Sequence, residues 1–340
     1  MIRDRMLDMK LITIIIPAWN EEKSLPFLFK RLDNLVRNCR GYEFEFLFIN
    51  DGSKDKTLSI LQQESKKNPR ISYLNFSRNF GKEIAVAAGL DHAAGDAVVI
   101  MDADGQEPPE LVPEMIKWWE KGYDDVYARR NKTDRGLLKK STSKLYYRTL
   151  QKMSRAQIQI DTGDFRLFSR KVVLALREFR EASRQNKAIF SWVGFEKKEI
   201  TFDQGERAGG GDSKWNFNPL SPVNSLWDLA IDGFTSFSTI PLRFVSLFGL
   251  MTSLAAFIYI IVILIQAAMG LPRTGGFNTL IIIVLFLGGV QMIALGVIGE
   301  YIGRIFIETK QRPLYLVEEF HKAKVASKGS KSEQSKKLDE

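Results

Sequence analysis

Acidic residues follow apolar stretches at three places early in the chain. Glu21 comes shortly after one stretch, Asp51 directly after a second, and the pair Asp102 and Asp104 directly after another. Carboxylates that converge raise one another's pKa unless a cation lies among them. Hard oxygen donors with no histidine or cysteine nearby suit Mg²⁺ or Mn²⁺, usually shared with phosphate oxygens. The pattern therefore favours a divalent-metal site for a phosphorylated ligand, although Asp-Ala-Asp-Gly taken alone is more often an ordinary acidic turn.

The apolar stretches before these acids are predicted to be strands of a buried sheet. β-branched runs alternate with segments whose apolar residues recur at helical spacing. Such units have right-handed crossovers and bind ligands beyond the carboxyl ends of their strands. The expected fold class is α/β, a mainly parallel sheet flanked by helices. The predicted strands are Leu11–Ile16, Phe44–Ile49, Ile71–Asn75, Ala97–Met101 and Asp125–Ala128, and the predicted helices are Ser24–Cys39, Asp55–Ser65 and Gly81–Ala94.

Two uncharged apolar stretches near the C-terminus predict membrane spans. Phe244–Ile265 and Leu280–Ile298 both approach or exceed the roughly 20 apolar residues that a helix needs to cross a bilayer. The alternative is a pair of buried helices in a soluble core, but such helices rarely stay uncharged for this long. The link Gly270–Phe277 carries one charge, whereas both outer flanks are rich in Lys and Arg, which marks them as cytoplasmic. We therefore expect two spans with both termini in the cytoplasm.

Composition along the chain predicts five parts. Apolar and polar residues alternate at helical spacing between Pro219 and Arg243, which suits a helix in the headgroup layer. The Lys- and Ser-rich end is typical of disorder. The expected boundaries are a cytoplasmic α/β domain over 1–215, a juxtamembrane amphipathic segment over 216–243, two transmembrane helices within 244–299 (about 244–268 and 277–299), a cytoplasmic juxtamembrane helix over 300–320 and a basic disordered tail over 321–340.

Composition also excludes other classes of protein. The 340 residues include one cysteine, Cys39, which rules out an internal disulfide, and two histidines are too few for a His-rich metal site. The net charge of +9 comes without a compact nucleic-acid-binding motif, so no nucleic-acid partner is expected. Attraction to anionic lipid headgroups fits a basic protein with predicted membrane spans.

Four motifs in the soluble half occur in an order that resembles one known family. They are Pro17–Glu21, Asn50–Ser53, Arg78–Lys82 and Asp102–Glu110. Together they resemble the signature of family 2 glycosyltransferases of GT-A fold, and in particular of the polyprenyl-phosphate glycosyltransferases. The resemblance extends from about Leu11 to about Tyr315. Further segments similar to that subgroup are Asp161–Leu167, Arg207 with Ser213-Lys214, Pro241–Arg243 and Gly299–Arg304.

The resemblance implies roles for individual residues. The catalytic residues implied are Asp104 and Asp164, with Asp164 acting toward the acceptor; a structural cap is the alternative for Asp164. The metal ligands implied for Mg²⁺ or Mn²⁺ are Asp102, Asp104 and Gln106, with Gly105 standing where relatives often have leucine. The residues implied in nucleotide-sugar binding are Pro17, Ala18, Trp19, Glu21, Asp51, Lys82, Asp102, Ala103, Gln106, Arg129, Arg207 and Lys214.

Two of these basic residues border a glycine-rich segment. The residues between Arg207 and Lys214 favour a loop that covers phosphates, and this loop is one glycine longer than the family's pattern. Arg207 and Arg129 suit bidentate phosphate contacts, whereas Lys214 acts as a point charge. A solvated surface charge is the alternative for Arg129.

The function implied is an inverting transfer of a sugar from a UDP-sugar, UDP-glucose or a related one, to undecaprenyl phosphate at the bacterial inner membrane. A processive polysaccharide synthase is a weaker alternative, because Ile189–Phe195 lacks the Gln and Arg of the Gln-x-x-Arg-Trp motif. An inactive nucleotide-sugar-binding scaffold is a second alternative. A nicotinamide dehydrogenase is weaker still, because no Gly-x-Gly-x-x-Gly follows the first strand. Gly288-Gly289 would allow the predicted spans to pack against other copies of the chain.

Overall fold

In a computed structural model of the chain, the described residues form two compact units. The described residues are 9–131, 162–182, 184–203, 240–269 and 276–325. Residues 9–131, 162–182, 184–203 and 313–325 belong to the first unit, and residues 240–269 and 276–312 belong to the second. The chain therefore leaves the first unit and returns to it after the C-terminal helices.

Eight strands of the first unit form one sheet in the described residues. Their order across the sheet is β7-β5-β6-β4-β1-β2-β3-β8. The strands are β1 (Leu11–Ala18), β2 (Glu43–Asn50), β3 (Ile71–Phe76), β4 (Ala97–Ile100), β5 (Asp125–Arg130), β6 (Thr162–Ser169), β7 (Lys197–Phe202) and β8 (Val317–His321). The five strands predicted from apolar runs are all present, with ends that differ by at most two residues.

The sheet is mixed: its four central strands are parallel as expected, and so are β5 and β7 at one end, but β6 and β8 run antiparallel to their neighbours. β1 pairs in parallel with β2 and β4, β2 with β3, and β5 with β7. β6 is antiparallel to both β4 and β5, and β8 is antiparallel to β3. The central strands are joined by single helices, which impose parallel pairing. β6 and β8 enter the sheet after long excursions of the chain, and that rule does not constrain them.

Helices cover both faces of this sheet. Ile12, Ile14 and Ile16 of β1 pack with helix α1 (Leu25–Asn38) on one face, whereas Ile15 packs with helix α3 (Lys82–His92) on the other. Contact with α3 is so close that a Cβ atom on Gly89 would lie 2.3 Å from Cγ2 of Ile15, so only glycine fits there. Burying each such apolar side chain contributes about 1.5–3 kcal/mol. The helices of this unit are α1 (Leu25–Asn38), α2 (Thr57–Lys67), α3 (Lys82–His92), α4 (Val112–Glu120), α5 (Arg170–Arg177) and α6 (Asn186–Trp192).

The second unit contains two long helices over the two apolar stretches. They are α7 (Ile240–Ala268) and α8 (Phe277–Thr309). Among the described residues, Phe286–Thr309 is long and apolar enough to cross a membrane, while the apolar part of α7 at Leu247–Tyr259 is shorter. The predicted helices are thus present, and α8 extends ten residues beyond the predicted end of the second span at 299.

The C-terminal region differs from the prediction. Residues 300–320 do not form a separate juxtamembrane helix, because α8 continues to Thr309 and Val317–His321 forms β8. Of the predicted disordered tail over 321–340, the part that the structure describes, residues 321–325, is structured: the Ala323 N–H donates to Oγ of Ser72, and Ala323 is buried. β8 is mostly exposed and its position depends on pairing with β3, which the residues of this segment alone do not reveal. Of the predicted headgroup helix over 219–243, residues 219–239 lie outside the described residues, and Ile240 to Arg243 form the start of α7.

Candidate functional site

The loops that follow β1 and β2 are joined by hydrogen bonds. The Asn20 N–H donates to Oγ of Ser53 at 2.9 Å, and the Lys54 N–H donates to Oδ1 of Asn20 at 2.7 Å. Asn20 has a φ of 56°, in the left-handed region that asparagine tolerates better than most residues. The Glu21 N–H donates to Oγ1 of Thr57, and its carboxylate accepts from Oγ of Ser24. Glu21 therefore holds the start of α1, beside the end of β1.

Asp51 connects the end of β2 to the loop before α3. Its carboxylate accepts the N–H groups of Phe80 at 2.6 Å and Gly81 at 2.9 Å. Gly52 has a φ of 60°, and a Cβ there would lie 2.4 Å from the carbonyl carbon of Arg78, so the two loops touch through backbone. Burial raises the pKa of Asp51, against the effect of the two amide donors. Asp51 thus sets the position at which α3 begins.

Lys82, the first residue of α3, lies between two carboxylates. Its Nζ atom is 2.6 Å from Oδ1 of Asp102 and 3.0 Å from Oδ2 of Asp164, and 24% of its side chain is exposed. Burial acts to lower the pKa of Lys82, but Asp102, Asp164 and Glu107 together raise it well above its usual value. We call Lys82, Asp102, Glu107 and Asp164 the acid cluster. The ammonium group of Lys82 supplies the positive charge that stabilises the converging carboxylates of this cluster.

The strand directions explain why Asp164 reaches this cluster. β6 runs antiparallel to β4, with Ile100 opposite Arg166. The first residues of β6 therefore lie beyond the carboxyl end of β4, where Asp102 is found. Burial acts against ionisation of Asp164, but Lys82 and then Lys187 outweigh it and lower the pKa of that carboxyl group. Asp164 is therefore ionised and lies close to Asp102. Their separation of more than 60 positions in the sequence gives no indication of this proximity.

Glu107 is the most buried acid of the cluster. Its Oε2 atom accepts the Asp102 N–H at 2.8 Å, and the residue is 1% exposed. Burial and then the charge of Asp102 raise the pKa of Glu107 well above its usual value, although Lys82 opposes them. Among the described residues, Oε1 of Glu107 and Oδ1 of Asp164 have no hydrogen-bond partner. Buried polar atoms are nearly always paired, and two of the described atoms that break this rule belong to the acid cluster.

The turn after β4 carries the predicted metal ligands. Oδ1 of Asp104 accepts the Gln106 N–H at 3.0 Å, and Gly105 between them has a φ of 78°. Asp102, Asp104 and Gln106 are all partly exposed, and they offer carboxylate and amide oxygens, the donors that Mg²⁺ and Mn²⁺ prefer. The donor chemistry fits a divalent ion, although the ammonium of Lys82 lies against the Asp102 carboxylate. Within the described ranges, no group of three or more His, Cys, Asp or Glu side chains is placed to hold a metal.

Two contacts that the sequence did not predict hold this region in place. Oε2 of Glu83 accepts the Asn186 N–H at 2.7 Å, and the Glu83 carbonyl accepts from Nδ2 of Asn186, which ties α3 to α6. Arg31 of α1 donates to the carbonyl oxygen of Gly105 at 2.8 Å. Glu107 could have been found, because it stands within the acidic motif. Arg31, Glu83 and Asn186 carry no signal of their own, because each acts on residues far away in the chain.

The remaining predicted residues lie in varied positions. Pro17 and Ala18 are buried within β1, Trp19 is half-buried at its end, and Ala103 is 3% exposed. Arg129 pairs with Glu199 of β7 at 3.0 Å, with both side chains over a third exposed. Arg207 and Lys214 lie outside the described residues. Of the predicted site residues, Lys82, Asp102 and Asp164 are therefore in direct contact through the ammonium group of Lys82.

The fold and the site together define a class: an α/β protein with charged groups at the carboxyl ends of its central strands, the edge at which such sheets bind ligands. The model of "Glycosyl transferase family 2" matches residues 13–177, and that of "GtrB C-terminal hairpin" matches residues 240–305. The chain belongs to glycosyltransferase family 2 and is a glycosyltransferase. The mixed sheet flanked by helices is the GT-A-like fold that the motifs implied.

Two relatives that match over nearly their whole length support this assignment. An uncharacterized glycosyltransferase of Synechocystis sp. is 42% identical over 91% of this chain and 95% of its own length. A prophage bactoprenol glucosyl transferase homolog of Escherichia coli is 41% identical over 92% of this chain and 99% of its own. The structure of the mannosyltransferase PcManGT from Pyrobaculum calidifontis, in complex with GDP-Man and Mn²⁺, is 19% identical over 57% of this chain and 55% of that chain, with a TM-score of 0.39.

Proposed function

We propose that the protein transfers a sugar from a UDP-sugar, UDP-glucose or a related one, to the phosphate of a polyprenyl phosphate such as undecaprenyl phosphate. The observation that carries this proposal is the ammonium of Lys82 between Asp102 and Asp164 at the ligand-binding edge of the sheet. A relative whose name specifies bactoprenol glucosyl transfer matches nearly the whole chain, and it supports both the glucosyl donor and the lipid acceptor.

On the donor side, the proposal assigns the nucleotide to the joined loops after β1 and β2. Asp51 lies at the end of β2, where a carboxylate can accept from a base N–H or a ribose hydroxyl. Asp102, Asp104 and Gln106 would hold Mg²⁺ or Mn²⁺. A bound divalent ion supplies positive charge that stabilises the departing diphosphate. Lys82 adds a fixed positive charge beside Asp102.

On the acceptor side, we assign Asp164 to orient the lipid phosphate. The acceptor is ionised near neutral pH, so little proton removal is needed. A phosphate oxygen of the lipid forms the new bond to the anomeric carbon, while the bond from that carbon to the UDP oxygen breaks. UDP leaves with the electron pair of that bond. A single displacement of this kind inverts the anomeric configuration.

The proposed acceptor requires the protein to reach a membrane. Large apolar side chains of α7 and α8 are exposed, among them Leu250 at 67%, Met292 at 70% and Ile293 at 68%. Exposed apolar surface of this kind is costly in water and suits contact with lipid. We therefore propose that both helices span the bilayer, with the basic flanks and the catalytic unit in the cytoplasm.

The test is a transfer assay with full-length protein in detergent. Incubation with UDP-glucose, undecaprenyl phosphate and Mg²⁺ or Mn²⁺ is expected to yield a glucosylated lipid detectable by mass spectrometry, and EDTA is expected to stop its formation. Asp104→Asn is expected to reduce the rate about 100-fold or more, because it removes a ligand charge from the diphosphate site. Asp33→Asn, an exposed acid on α1, is the matched control. Full activity of Asp104→Asn would remove the metal assignment, and no sugar-lipid with any UDP-sugar would overturn the proposal.

A further inference from the structure

One arginine from α1 makes three hydrogen bonds to the turn that carries the predicted metal ligands. Nη1 of Arg31 donates to the Gly105 carbonyl at 2.8 Å. Nε donates to Oε1 of Glu110 at 3.1 Å, and Nη2 donates to Oε2 of the same carboxylate at 2.5 Å. Arg31 is 74 residues away from Gly105 in sequence. All three donors are therefore directed at residues 105–110 from another element of the fold.

The carbonyl that Arg31 binds occupies the middle of this turn. Gly105 has a φ of 78° and stands between Asp104 and Gln106. The carbonyl of Gly105 and the N–H of Gln106 belong to one planar peptide group. That N–H donates to Oδ1 of Asp104. Fixing the carbonyl thus fixes the plane of the peptide and, through the Gln106 N–H, the carboxylate of Asp104.

We propose that Arg31 is a positioning residue for the divalent metal, holding the 102–110 turn so that Asp104 and Gln106 present their oxygens to the ion. The inference rests on the proposed function, because it assumes that the ion binds at this turn. Residues behind metal ligands typically change metal affinity by about 10–100-fold when they are replaced.

The geometry favours this role over a contribution to stability alone. Glu110 is 58% exposed, and an ion pair so exposed contributes little to stability because solvent screens it. The hydrogen bond to Gly105 is different, because the side chain of Arg31 is only 20% exposed and its planar fork serves both partners at once. A lysine in this position has one nitrogen and cannot reproduce the fork.

The experiment measures Mn²⁺ binding to the purified full-length protein by electron paramagnetic resonance. Arg31→Met is expected to weaken binding about 10-fold, and Arg31→Lys less than that. The control is Lys10→Met, which removes an ion pair with Glu120, with side chains 50% and 36% exposed, away from this turn. The control is expected to bind Mn²⁺ like the wild type. Wild-type Mn²⁺ affinity in Arg31→Met would overturn the inference.

A second measurement separates this inference from the proposed function. Hydrogen exchange of the peptide covering residues 102–110, recorded without metal, is expected to be faster in Arg31→Met and unchanged in Lys10→Met. If the wild type binds no Mn²⁺, the metal assignment of the proposed function is wrong, and exchange alone then decides whether Arg31 holds the turn. Unchanged exchange would show that it does not. If Arg31→Met does not fold, both measurements are made on Arg31→Lys, with the same expected directions.

Discussion

Two polar clusters lie at different places on the same sheet, and they are built in opposite ways. In the acid cluster, one ammonium pairs with two of the three carboxylates, and two buried carboxylate oxygens lack partners among the described residues. The edge cluster joins β8 to β3 and α2; its members are Gln62, Tyr73, Asn75, Glu318 and Glu319. The two carboxylates of the edge cluster each receive hydrogen bonds from neutral donors.

The difference between the clusters indicates different roles. In the edge cluster, Glu319 accepts from the Tyr73 hydroxyl at 2.6 Å and from Nε2 of Gln62 at 2.9 Å. Burial, followed by the contact with Glu319, raises the pKa of Tyr73 to about 12, so this hydroxyl remains a donor. Such pairing stabilises a fold. The acid cluster keeps charge and unmet hydrogen-bonding capacity at a ligand-binding edge, which stability alone does not require.

The largest expected effect comes from the acid cluster. Asp102→Asn removes a proposed metal ligand and the closest partner of Lys82, so transfer is expected to fall about 100-fold or more, since a preorganised charge at the diphosphate is lost. The unfolding midpoint is expected to change little, because the residue is partly exposed. Steady-state transfer kinetics and thermal unfolding measured on one preparation check this. Activity that falls only in parallel with the unfolding midpoint would contradict a role in chemistry.

An intermediate effect is expected at Asp51. Its carboxylate is paired with backbone donors, like the edge cluster, but it also lies at the proposed nucleotide site, like the acid cluster. Asp51→Asn places an amide where two backbone N–H groups now donate, so one of them loses its acceptor. We expect a loss of about 1–3 kcal/mol in the free energy of unfolding, with a raised KM for the donor. Denaturant unfolding and donor titrations measure both. Wild-type values for both quantities would show that Asp51 neither holds α3 nor lines the nucleotide site.

The edge cluster is expected to affect stability and leave chemistry intact. Glu319→Ala removes the acceptor of two hydrogen bonds, which corresponds to about 1 kcal/mol and a fall of about 2–4 °C in the unfolding midpoint. Transfer activity is expected to stay near the wild-type level at a temperature well below unfolding. The matched variant Glu318→Ala loses one such bond and is expected to fall less. A selective loss of activity in Glu319→Ala would erase the distinction between the clusters.

The smallest expected effect is a pH dependence of stability, which arises from His92 near β8. His92 lies against the rings of Tyr315 and Phe320, and burial lowers the pKa of His92 from 6.5, with Asp91 opposing and Arg177 and Lys322 assisting. As pH falls below 6.5, His92 therefore takes up a proton in the unfolded chain before it does so in the folded protein, which favours unfolding. Stability is expected to decrease as pH falls from 6.5 through the lowered pKa. Unfolding midpoints of wild type and His92→Gln across that range test this, since a difference independent of pH would contradict it.

Much of the fold followed from local patterns. β1 through β5 formed where apolar runs predicted them, because buried central strands need continuous apolar residues. β8 was missed, and residues 300–320 were predicted as one helix. Val317–His321 is a short, mostly exposed edge strand, and its pairing depends on β3, which lies far away in sequence. Short exposed strands carry little periodicity, so sequence patterns identify them poorly.

The sequence by itself determined the acidic motifs, the order of the central strands and helices, and the two apolar helices. Those features depend on residue type and on the spacing of residues that are close together in the chain. Tertiary structure alone decided that Lys82 lies between Asp102 and Asp164, and that Arg31 holds the turn at Gly105. The physical reason is the antiparallel insertion of β6 and the packing of α1 against the sheet, because contacts between distant segments depend on how elements pair and leave no periodic trace in the chain.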